Sequence, residues 1–238
     1  MLAPQKGSQD AKGPVRQRAR AWLRANALAL VTLGLFLATV CGQVASGLAA
    51  HNQELSERAQ APLSLAAYLT SGHFMEALFE NWESEFLQMG LFVWLSARLR
   101  QRGSAESKPL DEGFEGDEDP REHRHDPRAP WPVRRGGWVL WLYERSLVLV
   151  FLSLFGFSLA FHGIGGCIEE NERRAEHGLP ARSLRQFVSS SEFWFQSLQN
   201  WQSEFLAVFS IVTLTIFLRQ RGSPQSKPVA AAHADTGK

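Results

Sequence analysis

The chain carries little net charge and few of the residues that announce a reaction. Its 25 Lys and Arg are nearly balanced by 24 Asp and Glu, leaving a formal charge of +1 at pH 7. Binding to nucleic-acid phosphates needs a concentrated positive face, so that class of partner is excluded. Only two cysteines are present, Cys41 and Cys167, too few for a disulfide framework and without metal-ligand spacing. They read as small apolar residues at helix ends, and a bridge between them stays open because a sequence cannot place their Cα atoms. There is no Walker loop, no Gly-rich dinucleotide fingerprint, no nucleophile elbow and no zinc-binding helix. The expectation is a protein that is not an enzyme and holds no cofactor and no metal. His123 and His125 stand in a charged tract without further ligands, and His51, His73 and His177 read as surface histidines with no matched pair for haem.

What the chain has instead is segregated apolar sequence. An average of 45% hydrophobic and 21% charged residues looks globular. Charges are nevertheless almost absent from 23–43 and 146–168, and sparse in 86–97 and 205–218. About 20 apolar residues, at about 1.5 Å each, cross a hydrocarbon core of about 30 Å. The reading is an all-α integral membrane protein with four transmembrane helices, at about 23–43, 79–99, 142–164 and 198–218. The first apolar run is longer than a signal-peptide core and has a counterpart deep in the chain, so it reads as a retained helix.

Laid on itself at an offset of 119, the chain aligns 22–110 with 141–229 without a gap, with 32 identities in 89 pairs. Asn81-Trp82-Glu83-Ser84-Glu85-Phe86-Leu87 matches Asn200-Trp201-Gln202-Ser203-Glu204-Phe205-Leu206. Leu99-Arg100-Gln101-Arg102-Gly103-Ser104, with Ser107-Lys108-Pro109, matches Leu218-Arg219-Gln220-Arg221-Gly222-Ser223, with Ser226-Lys227-Pro228. Duplication is the economical account. The organisation is then a cytoplasmic tail at 1–21, a two-helix repeat at 22–110, a disordered cytoplasmic linker at 111–137, a second repeat at 141–229 and a tail at 230–238. Arg and Lys flank the spans at Lys12 to Arg24, at Arg98 to Lys108, at Arg134 and Arg135, and at Arg219 to Lys227. Four spans put all of these on the cytoplasmic side, with both termini inside and the 44–72 and 166–191 loops outside. The repeats are therefore parallel, related by a pseudo-two-fold axis along the membrane normal.

The strictly apolar parts of the second and fourth spans, Phe86–Ala97 and Phe205–Phe217, are too short to cross alone. Helices that start near Ser71 and Ser190, each serine an N-cap, carry polar residues into the outer leaflet. Gln196, Asn200, Ser203 and Glu204 form one stripe, and Asn81, Ser84 and Glu85 form its counterpart. Polar groups at such depth face a bundle interior and find partners there. Gln43 and His162, at aligned positions of the first and third spans, are the available partners. The candidate intramembrane cluster is thus Asn81, Ser84, Glu85, Asn200, Ser203, Glu204, Gln43 and His162, acting as glue between helices or as a proton or cation site. Trp82 and Trp201 read as bilayer anchors, and Gly103 and Gly222 as helix C-caps.

At the doubled Asn-Trp-x-Ser-Glu-Phe-Leu and Arg-Gln-Arg-Gly-Ser-x-x-Ser-Lys-Pro segments, the chain resembles a family of uncharacterised bacterial membrane proteins classed as a domain of unknown function. The resemblance implies a location in the bacterial inner membrane and carries over no catalytic residue. Two functions of different class follow. One is a non-enzymatic membrane scaffold or partner-binding protein, associated with the lipid bilayer and with a homo-oligomer or a membrane-protein partner. The other is a small proton- or cation-conducting protein that uses Glu85 and Glu204.

Overall fold

A computed structural model of the chain describes residues 13–110 and 113–237. It is about 70% helix, with no strand among the described residues. By its internal contacts the chain divides into two compact units, 1–69 and 70–238. That boundary falls inside the 22–110 stretch and not in the linker.

In the first unit, helix α1 (Gly13–Ala25) breaks at Asn26 and helix α2 (Ala27–Glu57) follows. At Asn26 the side-chain amide donates back to Trp22 O at 2.8 Å, a local bond that competes with continued helix. Helix α2 runs well past residue 43, so its polar end, expected in the outer loop, is helical. The turn beyond it is closed by Asn52, whose side chain accepts from Leu63 N at 2.7 Å and donates to Leu63 O at 3.1 Å. Ser64 then caps the short helix α3 (Leu65–Tyr68) by accepting from Ala67 N. Tyr68 is buried with its ring 6.0 Å from that of His51. His51 is therefore a buried residue of this unit, correcting its reading as a surface histidine. A Cβ on Gly47 would run into the Tyr68 hydroxyl, so the buried ring would have to shift to admit one.

The second unit opens with helix α4 (Gly72–Ser96). As expected, Ser71 caps it, accepting from Phe74 N at 3.2 Å. The 113–137 stretch, expected to be disordered, carries 3-10 turns at Glu115–Asp117 and Pro120–His123 and helix α5 (Trp131–Arg135). Asp119 and Asp126 account for part of this order, since each accepts a bond from the backbone N–H two residues on, at Arg121 and Arg128. Asp111 and Glu112 lie outside the described residues. Helix α6 (Gly137–Glu144) leads through Arg145 into helix α7 (Ser146–Glu176), which also outruns its expected end at 164. Asn171 closes the next turn by accepting from Arg182 N at 2.7 Å and donating to Arg182 O at 2.9 Å. Helix α8 (Leu184–Val188) follows, and Ser190 caps helix α9 (Ser191–Phe217).

Helices α2 and α7 are long and apolar enough to cross a membrane. Helix α4 lies antiparallel along α7 at close range. A Cβ on Gly72 would meet Gly165 O at 2.8 Å and Glu169 N at 2.6 Å, and one on Gly165 would meet Glu76 N at 2.6 Å. At the far end Gly90 sits against Phe151. Small residues admit this approach, as they do between membrane helices. Helix α9 runs beside α4 in the same direction, Gln196 meeting Glu76 and Asn200 meeting Glu80.

Helices α4 and α9 stop at Ser96 and Phe217, before the Arg-Gln-Arg-Gly segments. Gly103 and Gly222 are thus not their C-caps; each sits in the turn beyond, at a left-handed φ of +82°. In both turns the Ser of Ser-Lys-Pro accepts from the Gln N–H, Ser107 from Gln101 at 2.9 Å and Ser226 from Gln220 at 3.0 Å. The C-terminal residues fold back on the first of these turns, Gly237 N donating to Ser104 O and Gly103 N donating to Thr236 Oγ1.

Candidate functional site

The polar residues of the second unit meet where α4, α7 and α9 come together. Helix α4 supplies Glu76, Glu80 and Glu83, spaced i, i+4, i+7 along one stripe. Glu83 and His162 are both fully buried, with His162 Nδ1 3.0 Å from Glu83 Oε2. The other Glu83 oxygen accepts from Trp201 Nε1 at 3.2 Å. On its far side His162 Nε2 faces Gln196 Oε1 at 3.4 Å, and Gln196 Nε2 donates to Glu76 Oε1 at 2.6 Å. Asn200 Nδ2 donates to Glu80 Oε1, also at 2.6 Å. Phe193 stacks on the His162 ring at 4.8 Å between centroids.

The direction of the bonds has a chemical consequence. Donation to Glu76 turns the Gln196 amide so that its oxygen faces His162. Both imidazole nitrogens then look at acceptors, a carboxylate and an amide oxygen, which is the pattern a doubly protonated imidazolium satisfies. A buried imidazolium beside a buried carboxylate neutralises the charge locally, the condition under which ionised groups survive away from water. The arrangement can bind and hold a proton, and it ties three helices together.

A family model described as a domain of unknown function, DUF6766, matches residues 19–238. The chain belongs to that family. No curated protein and no solved structure matches it. The DUF6766 match spans both aligned stretches, the linker between them and the C-terminal tail.

Of the cluster expected from sequence, His162 and Asn200 belong to the buried layer, each with a carboxylate partner from α4. Gln43 lies in the other compact unit. Asn81, Ser84 and Ser203 bond to carbonyls of their own helices, at Ala77, Asn81 and Asn200. Glu85 and Glu204 do not meet His162; their carboxyl groups lie near each other. The reason is helical phase, since Glu83 and Glu85 lie about 200° apart around the axis at about 100° per residue. Trp201, read as an anchor, is a donor to the buried carboxylate. Cys41 and Cys167 are free thiols.

Sequence reasoning missed Glu76, Glu80 and Glu83, and it left Trp201 outside the cluster. A signal was present in the differences between the aligned stretches. Glu76, Glu80 and Glu83 stand opposite Phe195, Gln199 and Gln202, so the carboxylates of this stripe are confined to one half. His162 stands opposite Gln43. The buried pair is made of positions at which the two halves disagree, whereas the search followed the positions at which they agree.

Proposed function

We propose that the chain is a multi-pass membrane protein of four membrane helices, built from two tandem two-helix copies with both termini on the cytoplasmic side, and that it is a non-enzymatic scaffold for a membrane partner or a second copy. Two observations support the four-helix reading. Helix α4 accompanies the apolar helix α7 antiparallel from Gly72 beside Glu169 to Gly90 beside Phe151, so it shares the depth of α7. Helices α4 and α9 touch at residues separated by close to the alignment offset of 119: Glu76 with Gln196, Glu80 with Asn200, Glu85 with Glu204. Residues at nearly equivalent positions meet in this way near a two-fold axis that lies along the helices. The basic clusters beside the spans support a cytoplasmic location for both termini in a bacterial inner membrane.

The observation that carries the scaffold reading is the closure of the buried layer. Both oxygens of Glu83 and both ring nitrogens of His162 are occupied by side chains of the same three helices. Groups engaged in this way fix helix register, the best attested use of a buried ion pair. A conducting path remains the second reading because of Glu85 and Glu204, two carboxyl groups that lie near each other on adjacent helices. Proton and monovalent-cation flux into liposomes separates the two, with wild type compared against Glu85→Gln combined with Glu204→Gln. The scaffold reading expects no flux from folded protein. Flux abolished by the double variant, with its helix content intact, overturns it.

A further inference from the structure

Most hydroxyl groups in the long helices follow one habit, and two buried ones depart from it. Thr32, Thr39, Ser46, Ser84, Ser96, Ser153, Ser203, Ser210 and Thr213 all donate to a carbonyl three or four residues back in their own helix. That bond is open to any helical serine. Ser158 in α7 and Ser197 in α9 do not make it. Both are fully buried, and neither hydroxyl has a hydrogen-bond partner. Neither hydroxyl is bonded within its own helix, and both are shielded from solvent.

The two serines sit at one level. On α7, Ser158 lies between Phe155 and His162; on α9, Ser197 lies between Phe193 and Trp201. The rings pair in antiparallel order, Phe155 with Trp201 at 5.9 Å and His162 with Phe193 at 4.8 Å. Residues three or four apart share a helix face, so Ser158 and Ser197 fall between those two ring contacts, on the surfaces that α7 and α9 turn to each other. Each is also one turn from a residue bonded to Glu83, namely His162 for Ser158 and Trp201 for Ser197. Glu83 has accepting capacity left, since each carboxylate oxygen takes two donors and each has one here.

We propose that Ser158 and Ser197 hold an internal water molecule against the Glu83 carboxylate, bonded to both hydroxyls and to Glu83. Three polar partners is the usual coordination of a buried water, and a buried hydroxyl left unbonded in this interface is destabilising. The water would make Glu83 the centre of the layer, with His162, Trp201 and both serines around one carboxylate. This rests on the site's geometry and on neither functional reading, so a failed flux assay leaves it standing.

The deciding experiment uses full-length wild type in proteoliposomes with labelled serine and histidine, and measures magnetisation transfer from water to side chains by solid-state NMR. The expected result is transfer to the Ser158 and Ser197 β-protons and to the His162 ring, at a rate above that of neighbouring buried residues. Its absence at both serines overturns the proposal. Thermal unfolding of Ser158→Ala, Ser197→Ala and the double variant gives an independent reading. A shared water predicts that each single variant lowers Tm by a few degrees and that the double loses little more than the worse single. A double variant with a raised Tm overturns the proposal, because deleting dry, unbonded hydroxyls relieves a cost.

Discussion

The two aligned stretches of the chain close the turns after α2 and α7 in the same way and fill their polar positions differently. Asn52 grips Leu63 through both its amide atoms, and Asn171 grips Arg182 with the same pair of bonds. Ser64 and Ser183 cap the short helices that follow, and Tyr68 and Phe187 are buried at aligned positions. At the polar layer the correspondence ends: the Glu83 and His162 positions hold Gln202 and Gln43 in the other half. The turn residues satisfy backbone groups that exist whatever the side chains are, so the residue type is dictated. The polar layer only has to satisfy itself. Any set of mutually bonded groups will serve there, so the residue types at these positions are free to differ.

The largest test is to break the Glu83 and His162 pair on one side only. His162→Leu leaves the Glu83 carboxylate buried without its charge partner and is expected to cost about 3–5 kcal/mol in reversible unfolding from detergent. Glu83→Gln combined with His162→Gln installs the residue types of the other half. That double variant is expected to be more stable than His162→Leu, because neutral amides bond without an ionic partner. Purely additive costs for Glu83→Gln and His162→Gln would mean that the two side chains are not coupled, and the account of the layer would fail.

The same contrast explains what the sequence disclosed. The all-helical class, the two longest apolar helices and the N-caps at Ser71 and Ser190 follow from local rules, namely apolar run length and a serine before a helix. The N-terminal ends of α4 and α9 were legible for that reason. The partner of His162 was not, because choosing between Glu83 and Glu85 requires the rotation of α4 against α7, and that is set by Gly72, Gly90 and Gly165 acting together. The early stop of α4, at Ser96 and not at about residue 99, was hidden as well. The Gly of Arg-Gln-Arg-Gly has the left-handed backbone of a cap, but it serves the turn after the helix.

A middle-sized effect tests the shared turns. Asn171→Ala removes two bonds to Arg182 and Asn52→Ala removes two bonds to Leu63. Each is expected to cost about 1–3 kcal/mol, since a partly buried backbone N–H and C=O lose their partners. Amide hydrogen exchange should show lost protection at Arg182 in the first variant and at Leu63 in the second. Protection lost in one and retained in the other would mean that the two turns only look alike.

Smaller still is the contrast between the two Ser-Lys-Pro lysines. Lys227 is buried, its ammonium donating to the carbonyls of Ala232, His233 and Asp235 at 3.2, 3.0 and 2.7 Å. Lys227→Met should free the tail, read as lost amide protection at Ala231 and Gly237. Burial, with Arg219 nearby, holds the Lys227 ammonium below its usual value of 10.5. The docked tail therefore binds fewer protons than the free tail in the interval beneath 10.5, so docking strengthens as pH rises through it and the cost is fully present at lower pH. Tail protection that falls over that interval would contradict this sign.

Lys108 holds the aligned position and should matter least. It pairs with Asp117 at 2.5 Å, but Asp117 is half exposed and the ring of Phe114 is 5.6 Å away. Ion pairs open to water are worth about 0–1 kcal/mol. Asp117→Asn is accordingly expected to shift stability by less than 1 kcal/mol, and high salt should erase what effect there is. The buried Lys227 bonds to uncharged carbonyls and should be far less sensitive to salt. The two lysines occupy the same place in the sequence motif, so the difference has to come from what covers them: a charged linker residue in one case and the backbone of the chain's own C-terminus in the other. Equal salt dependence of the Lys108→Met and Lys227→Met effects would show that coverage does not decide the role of this lysine.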